Sequence, residues 1–328
     1  MKFLPAILLA LAACTVPLAA APKPAAVERI TVAGRDYLQV QDWAESRGYT
    51  FRWLVKLKTL AIVSGKDTLY LTLNSAQAEF NGIKIWLAYP VLMHDGRLYF
   101  TQFDLANTFM PLFEPVANPP GKKIKLVVLD PGHGGKDTGN RVFLQSEKTH
   151  TLLLAQEIRD LLKKSGIKVA FTRSSDTFLE LPDRPDKAQR LGADLFISLH
   201  YNATIEDRNN VQGAEVYCLT PAGVSSTNAK GVGADSPWTI GNRNNPRNLL
   251  LAYEIQHSLV HNLNVNDRGV RRARFAVLRD AAMPAILIEA GFMTHPVEGK
   301  KIFTAAYRRA LARAIANGVL AYERAQNR

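Results

Sequence analysis

The chain has 328 residues, 47% hydrophobic and 21% charged, which is enough apolar content for packed cores and excludes a disordered chain. Length alone points to about two domains. The formal net charge of +12 calls for an anionic partner, but the sequence lacks an RNA-binding aromatic signature, zinc-finger spacing or a long Lys/Arg block. No nucleic-acid partner is expected on these grounds, and a cell-envelope polymer stays open, since the charge alone decides nothing.

The first residues, MKFLPAILLALAACTVPLAAAPKP, carry one early Lys, an apolar run and then small residues. This is the layout of a secretory signal, assigned to residues 1–20, and its apolar run is too short to span a bilayer. LAAC at 11–14 resembles the cleavage box of bacterial lipoproteins, which would put a lipid on Cys14. A cut after Ala20 competes with it, and both readings stay open. Either one places the protein outside the cytoplasm, in the periplasm or cell envelope, with membrane contact only through a lipid on Cys14. Cys218 is then left without an intramolecular partner, so no disulfide is expected.

Residues 28–116 read as a small α+β, mainly β domain. RITVAGRDYLQV forms a hairpin about Ala33-Gly34-Arg35, and QDWAESRGY a short helix stopped at Gly48. TLAIVSGKDTLYLTL gives two strands, AEFNGIKIWL turns at Asn81-Gly82, and RLYFTQFDLANTF closes with a strand and a helix. The order resembles the N-terminal module of copper amine oxidases over 29–113. The resemblance implies no copper, because His94 is the segment's only His and the segment has no Cys. A spacer or binding role is expected of it.

A Pro/Gly-rich linker covers 117–123, and a second domain of alternating strands and helices runs over 124–326. KLVVLD, KVAFTR, DLFISLHYN, AEVYCL and AILIEA are its strands, with EKTHTLLLAQEIRDLLKKSG and RNLLLAYEIQHSLVHNL as long helices. The fold expected is α/β, a twisted, mostly parallel sheet covered by helices, with its site at the carboxyl ends of the strands. Residues 219–248 lack periodicity and read as a long loop beside that site.

Between the first strand and helix lies DPGHGGKDTG. It is not a phosphate cradle. Asp137 stands where a dinucleotide fingerprint needs its third Gly, and Asp130 where a P-loop needs its first. What the turn does hold is His133. His200 ends a second strand, Glu289 a third, and Glu147 opens the helix after the turn, so all four fall on one rim. Two imidazoles and a carboxylate make three zinc ligands with a fourth position left for water, and a second carboxylate can shuttle protons. A lone strand-end His is more often structural, and the case for a metal rests on their coincidence. His150, one turn beyond Glu147, is an alternative ligand; His257 and His261 lack the Glu of a zincin helix and read as a polar helix edge.

LDPGHGGKDTG, Glu147, SLHYNA and RGVRRARFAVLRDAAMPAILIEAGFMTH together resemble the zinc-dependent N-acetylmuramoyl-L-alanine amidases of bacterial cell walls, over residues 124–324. The resemblance implies one Zn2+ per catalytic domain on His133, Glu147 and His200, with Glu289 as catalytic residue. It further implies Arg184, Asn202 and Arg268 as substrate-binding candidates, peptidoglycan as substrate, and an activator protein as a partner. Hydrolysis would separate N-acetylmuramic acid from L-alanine during wall remodelling or daughter-cell separation. The chain departs from the family at His295 and Gln189, neither an implied ligand. Some relatives carry a self-blocking helix near the site; 219–248 is too rich in Gly and Pro for a long one. The competing functions are a catalytically silent wall-binding or regulatory protein and a zinc peptidase acting on stem peptides.

Overall fold

The computed structural model describes residues 26–119, 121–227 and 236–327; the signal segment and Cys14 lie outside them, as do residues 228–235 of the long loop. The first half opens with strands β1 (Arg29–Val32) and β2 (Arg35–Gln39), helix α1 (Val40–Ser46), then the meander β3 (Thr50–Val55), β4 (Thr59–Ser64), β5 (Asp67–Thr72), β6 (Gln77–Phe80) and β7 (Ile83–Trp86). It ends with β8 (Leu92–His94), β9 (Arg97–Thr101), helix α2 (Gln102–Asp104), a π-helical turn at Leu105–Phe109 and helix α3 (Met110–Phe113). The hairpin turns fall where the sequence puts them. At the tightest, Asn81 and Gly82 take φ of 48° and 80°, the left-handed pair of a two-residue turn. β3 and β8 are strands the sequence reading passed over.

The second half contains β10 (Leu126–Pro131), the small hairpin β11 (Arg141–Val142) and β12 (Gln145–Ser146), α4 (Glu147–Lys164), β13 (Lys168–Phe171), α5 (Asp183–Arg190), β14 (Leu195–Asn202) and β15 (Ala214–Leu219). Then come a 3-10 turn at Ile240–Asn244, α6 (Asn245–Leu263), β16 (Asp267–Ala273), α7 (Ala276–Arg279), β17 (Ala285–Phe292), α8 (Glu298–Ile302) and α9 (Ala305–Gln326). The loop expected over 219–248 is thus shorter, because Pro246 in the first turn of α6 starts that helix at Asn245. α4 buries Glu147, His150, Thr151, Leu154, Ala155, Ile158 and Leu162, a helical stripe that packs on the sheet.

The α/β architecture is the one expected, a large, mostly parallel sheet behind a mainly β first half. β13, β10, β14 and β17 run parallel, β15 pairs antiparallel with β17, and β16 runs parallel to β15. The sheet does not stop there. β7 joins the far edge of β16, with Ile85 opposite Val270, so one eleven-stranded sheet runs β13-β10-β14-β17-β15-β16-β7-β6-β5-β4-β3. One apolar core follows it, holding Leu38, Trp43 and Phe100 of the first half together with Leu129, Ile158 and Ile288 of the second.

Alternation along the strands sorts their residues between two layers. Val127, Ile197, Ile286 and Val216 face α4, α6 and α9, whereas Val128, Phe196, Ala285 and Tyr217 join the smaller core under α5 and α7. On that second face each central strand turns polar toward its carboxyl end: Val128 gives way to Asp130, Phe196 to Ser198 and His200, and Leu287 to Glu289. The rim so formed carries the site.

Candidate metal centre and active site

The turn after β10 is built around close approach. His133, Gly134 and Gly135 all have positive φ, of 64°, 131° and 57°. A Cβ on Gly132 would lie 2.3 Å from the His200 ring, so only glycine lets the two imidazoles meet. Two buried arginines hold the turn's backbone from below. Arg173 donates from Nε to the Pro131 carbonyl and from Nη2 to that of Gly132, both at 2.8 Å. Arg184 donates to the carbonyls of Pro131 at 3.1 Å and His133 at 3.0 Å, and pairs with buried Asp130 at 2.9 Å. Ser198 and Thr172 also donate to Asp130, at 2.8 and 2.6 Å. Arg184 is only 2% exposed. Its Nη donors are taken by protein acceptors, so it buttresses the turn and does not present itself to a substrate.

His133, Glu147 and His200 come together, each offering a ligand atom within 4.8 Å of the others. Glu147 Oε1 lies 3.1 Å from His133 Nε2 and 2.9 Å from His200 Nδ1, and the two rings stand edge to face at 4.9 Å. Donors around a tetrahedral zinc ion sit roughly 3.3–3.4 Å apart, so small side-chain adjustments would admit one. The surroundings fit such an ion. Asp137 Oδ2 is 2.8 Å from His133 Nδ1, which fixes the tautomer and leaves Nε2 free for a metal. The backbone and side-chain nitrogens of Asn140 both donate to Glu147 Oε2 at 2.9 Å, leaving Oε1 to face the imidazoles.

Electrostatics follows this arrangement. Burial works against the charge of Glu147, yet hydrogen bonds and attraction from His133 and His200 hold its carboxyl well below the ordinary range. His133 is likewise opposed by burial but pushed up overall by Glu147 and Asp137. His150, the alternative ligand, is turned away: Nε2 lies 2.7 Å from Gln145 Oε1 and its ring packs on Phe303. His257 and His261 stack on each other along α6, 4.1 Å apart, remote from the triad in the fold.

Glu289 is the contrast. It lies opposite His200 in the β14–β17 ladder, but its buried Oε2 has no hydrogen-bond partner. Burial first, then the charges of Glu147 and Glu215, push its carboxyl well above the ordinary glutamate value. Across the sheet Glu215 faces Glu289 in the β15–β17 ladder. Its oxygens are saturated: Oε1 accepts from Asn202 Nδ2 at 2.9 Å and Tyr217 Oη at 3.1 Å, and Oε2 from Arg268 and Arg271 at 3.0 Å each. Of the three substrate-binding candidates, Asn202 therefore spends its amide on Glu215, while Arg268 keeps its Nη groups without acceptors among the described residues. Asp137, Asn140, Arg173 and Glu215 escaped the sequence reading. A lone acid inside apolar AEVYCL, and an Asp four residues after His133, were the signals available.

A family model described as N-acetylmuramoyl-L-alanine amidase matches residues 127–321, and one described as copper amine oxidase N-terminal domain matches 20–110. The chain is 36% identical over 236 residues to the N-acetylmuramoyl-L-alanine amidase AmiA of Escherichia coli, covering 64% of this chain and 79% of that protein. Among solved structures, the N-acetylmuramoyl-L-alanine amidase from Clostridium difficile 630 aligns with TM-score 0.51 and 34% identity, over 61% of this chain and 97% of that one. The amidase AmiC2 of Nostoc punctiforme aligns at TM-score 0.51 and 32% identity, over 62% and 98%.

Proposed function

The chain belongs to the N-acetylmuramoyl-L-alanine amidase family, and from that premise we propose that it works with one zinc ion held by His133, Glu147 and His200. It is an amidase of peptidoglycan, cleaving between N-acetylmuramic acid and L-alanine. Bound zinc would supply Lewis acidity toward the amide carbonyl and acidify a water. The protein's own groups do the rest. Asp137 and Asn140 keep two of the three ligands in their coordinating orientations. Glu289 receives the proton of the attacking water and returns one to the departing L-alanine nitrogen, so that hydroxyl ends on the lactyl carbonyl carbon and hydrogen on the amine.

The observation that carries this reading is the register of Glu289 beside His200, with one carboxylate oxygen buried and unpartnered next to the three-ligand cluster. A carboxyl so placed has an oxygen open to a water's proton, whereas the oxygens of Glu215 are already taken by Asn202, Tyr217, Arg268 and Arg271. Peptidoglycan digestion with and without a chelator, with products identified by mass, tests it. Expected are intact stem peptides with a free L-Ala amine, lost on chelation and restored by zinc. Release of D-Ala alone would favour a stem-peptide peptidase, and no release a silent wall-binding protein.

Residues 124–326 are proposed as the catalytic unit and 28–116 as an accessory unit, in an exported protein of the periplasm or cell envelope. No helix among the described residues is long and apolar enough to cross a membrane.

A further inference from the structure

The row of side chains that begins at the metal site does not end within the catalytic half. His200, Glu289 and Glu215 lie opposite one another in successive ladders, and Arg271 lies opposite Tyr217 in the next, so all share the α5/α7 face. Arg271 then stacks on Trp86 of β7, its guanidinium carbon 4.5 Å from the ring centre. The same indole donates from Nε1 to the Arg268 carbonyl at 3.1 Å, and Arg271 Nε approaches that carbonyl at 3.3 Å. Arg268 in turn lies over Phe292 at 4.8 Å. One tryptophan from the first half thus stacks on the Arg271 side chain and holds the Arg268 backbone, while Phe292 carries the Arg268 guanidinium.

The strand carrying these arginines is itself clamped by that half. Lys84 N donates to Asp267 Oδ2 at 2.7 Å and Lys84 Nζ to the Asp267 carbonyl at 3.2 Å. Arg272, on the other face of β16, is 1% exposed and donates to the Asn107 carbonyl and Thr108 Oγ1, both at 2.9 Å. A Cβ on Gly269 would meet the Lys84 carbonyl oxygen at 2.8 Å, so the strands approach as closely as glycine allows.

We propose that Trp86 is a positioning residue that holds Arg271 and Arg268 as an anion-accepting fork beside Glu289, making the N-terminal unit part of the wall that grips a carboxylate of the stem peptide. Both arginines meet a single oxygen of Glu215, which does not exhaust their donors. The Nε groups are spent on Glu215, whereas the Nη groups of both have no acceptor among the described residues. Guanidinium presents paired donors in the geometry a carboxylate accepts, and stacking on an aromatic face removes the rotamer freedom that binding would otherwise have to freeze. Only the nature of the ligand rests on the amidase reading above.

The test compares the full-length, zinc-loaded protein with its Trp86→Ala, Trp86→Phe and Arg271→Gln variants on two muramoyl-peptides, one with free carboxylates and one with them amidated. Trp86→Ala should raise KM for the acidic peptide by roughly fivefold and change it far less for the amidated one. Trp86→Phe, which keeps an aromatic face, should recover most of that preference. Arg271→Gln should lose it without touching the indole, which keeps the question answerable should Trp86→Ala not fold. Equal KM changes for both peptides, or none, in a folded variant overturn the proposal. Calorimetric binding of both peptides to Glu289→Gln protein reads the same preference without turnover. A wild type that cleaves neither peptide therefore counts against the amidase mechanism, and the binding preference is judged separately.

Discussion

The two halves of the eleven-stranded sheet solve burial differently. From β3 to β7 the strands are antiparallel hairpins joined by tight turns, and polar residues alternate outward along them. From β13 to β17 they are parallel and covered on both faces, so a polar residue has nowhere harmless to go. There, each inward polar side chain must find a partner or pay in stability. Asp130, Arg184 and Glu215 find partners, and Glu289 Oε2 does not. An outward polar residue on β3–β7 therefore says little, whereas one on the α5/α7 face of β10, β14, β17 or β15 points toward the site.

The sharpest way to break this contrast is at Glu289. Glu289→Gln should lower turnover by about a thousandfold or more while leaving zinc content unchanged, measured by muropeptide release and metal analysis. Loss of zinc from that variant would mean the residue is a ligand. Arg184→Ala should come next, since it abandons a buried carboxylate at Asp130: about 3–5 kcal/mol of stability lost in denaturant unfolding. A loss below about 1 kcal/mol would show that the pair is not sealed from water. Asp137→Ala should weaken zinc binding by about 10–100-fold in a competition titration, with the fold intact.

Glu289 should also be visible in stability. The folded metal-free protein holds this proton more tightly than the unfolded chain, so stability falls as pH rises from the ordinary glutamate range through the raised value. Metal-free Glu289→Gln should accordingly melt higher than metal-free wild type at about pH 7, with no advantage at about pH 4. The smallest effect belongs to the first half. Arg47 and Glu114 pair at 3.0 Å on an open surface, and Arg47→Ala should shift stability by no more than about 0.5 kcal/mol.

The same contrast explains what could be read from the sequence. His133 lies in the glycine turn just past one buried apolar strand, and His200 and Glu289 stand toward the carboxyl ends of two others, so the rule that such sheets carry sites at that rim isolates them. Glu147 stands at the start of a strongly periodic helix. β16 escaped because DRGVRRA looks like a surface segment: Arg272 is buried only through Asn107 and Thr108, and Arg271 is sheltered by Trp86, contacts made across more than 160 residues. The buttressing contacts of Arg184 are hidden from the sequence for a related reason. A charged residue on a short helix reads as exposed until the strand beneath it supplies Asp130.

The junction of β7 with β16 also bears on how the molecule avoids its own kind. Open strand borders offer rows of free N–H and C=O groups that invite pairing with other chains. Here the border of β16 is closed from within, and among the described residues the sheet ends only at β3 and at the four-residue β13, which begins with Lys168. Excising the catalytic half would uncover β16 together with the apolar surface around Tyr253, whose ring now meets that of Phe80 edge to face at 5.4 Å. The severed fragment is accordingly expected to self-associate.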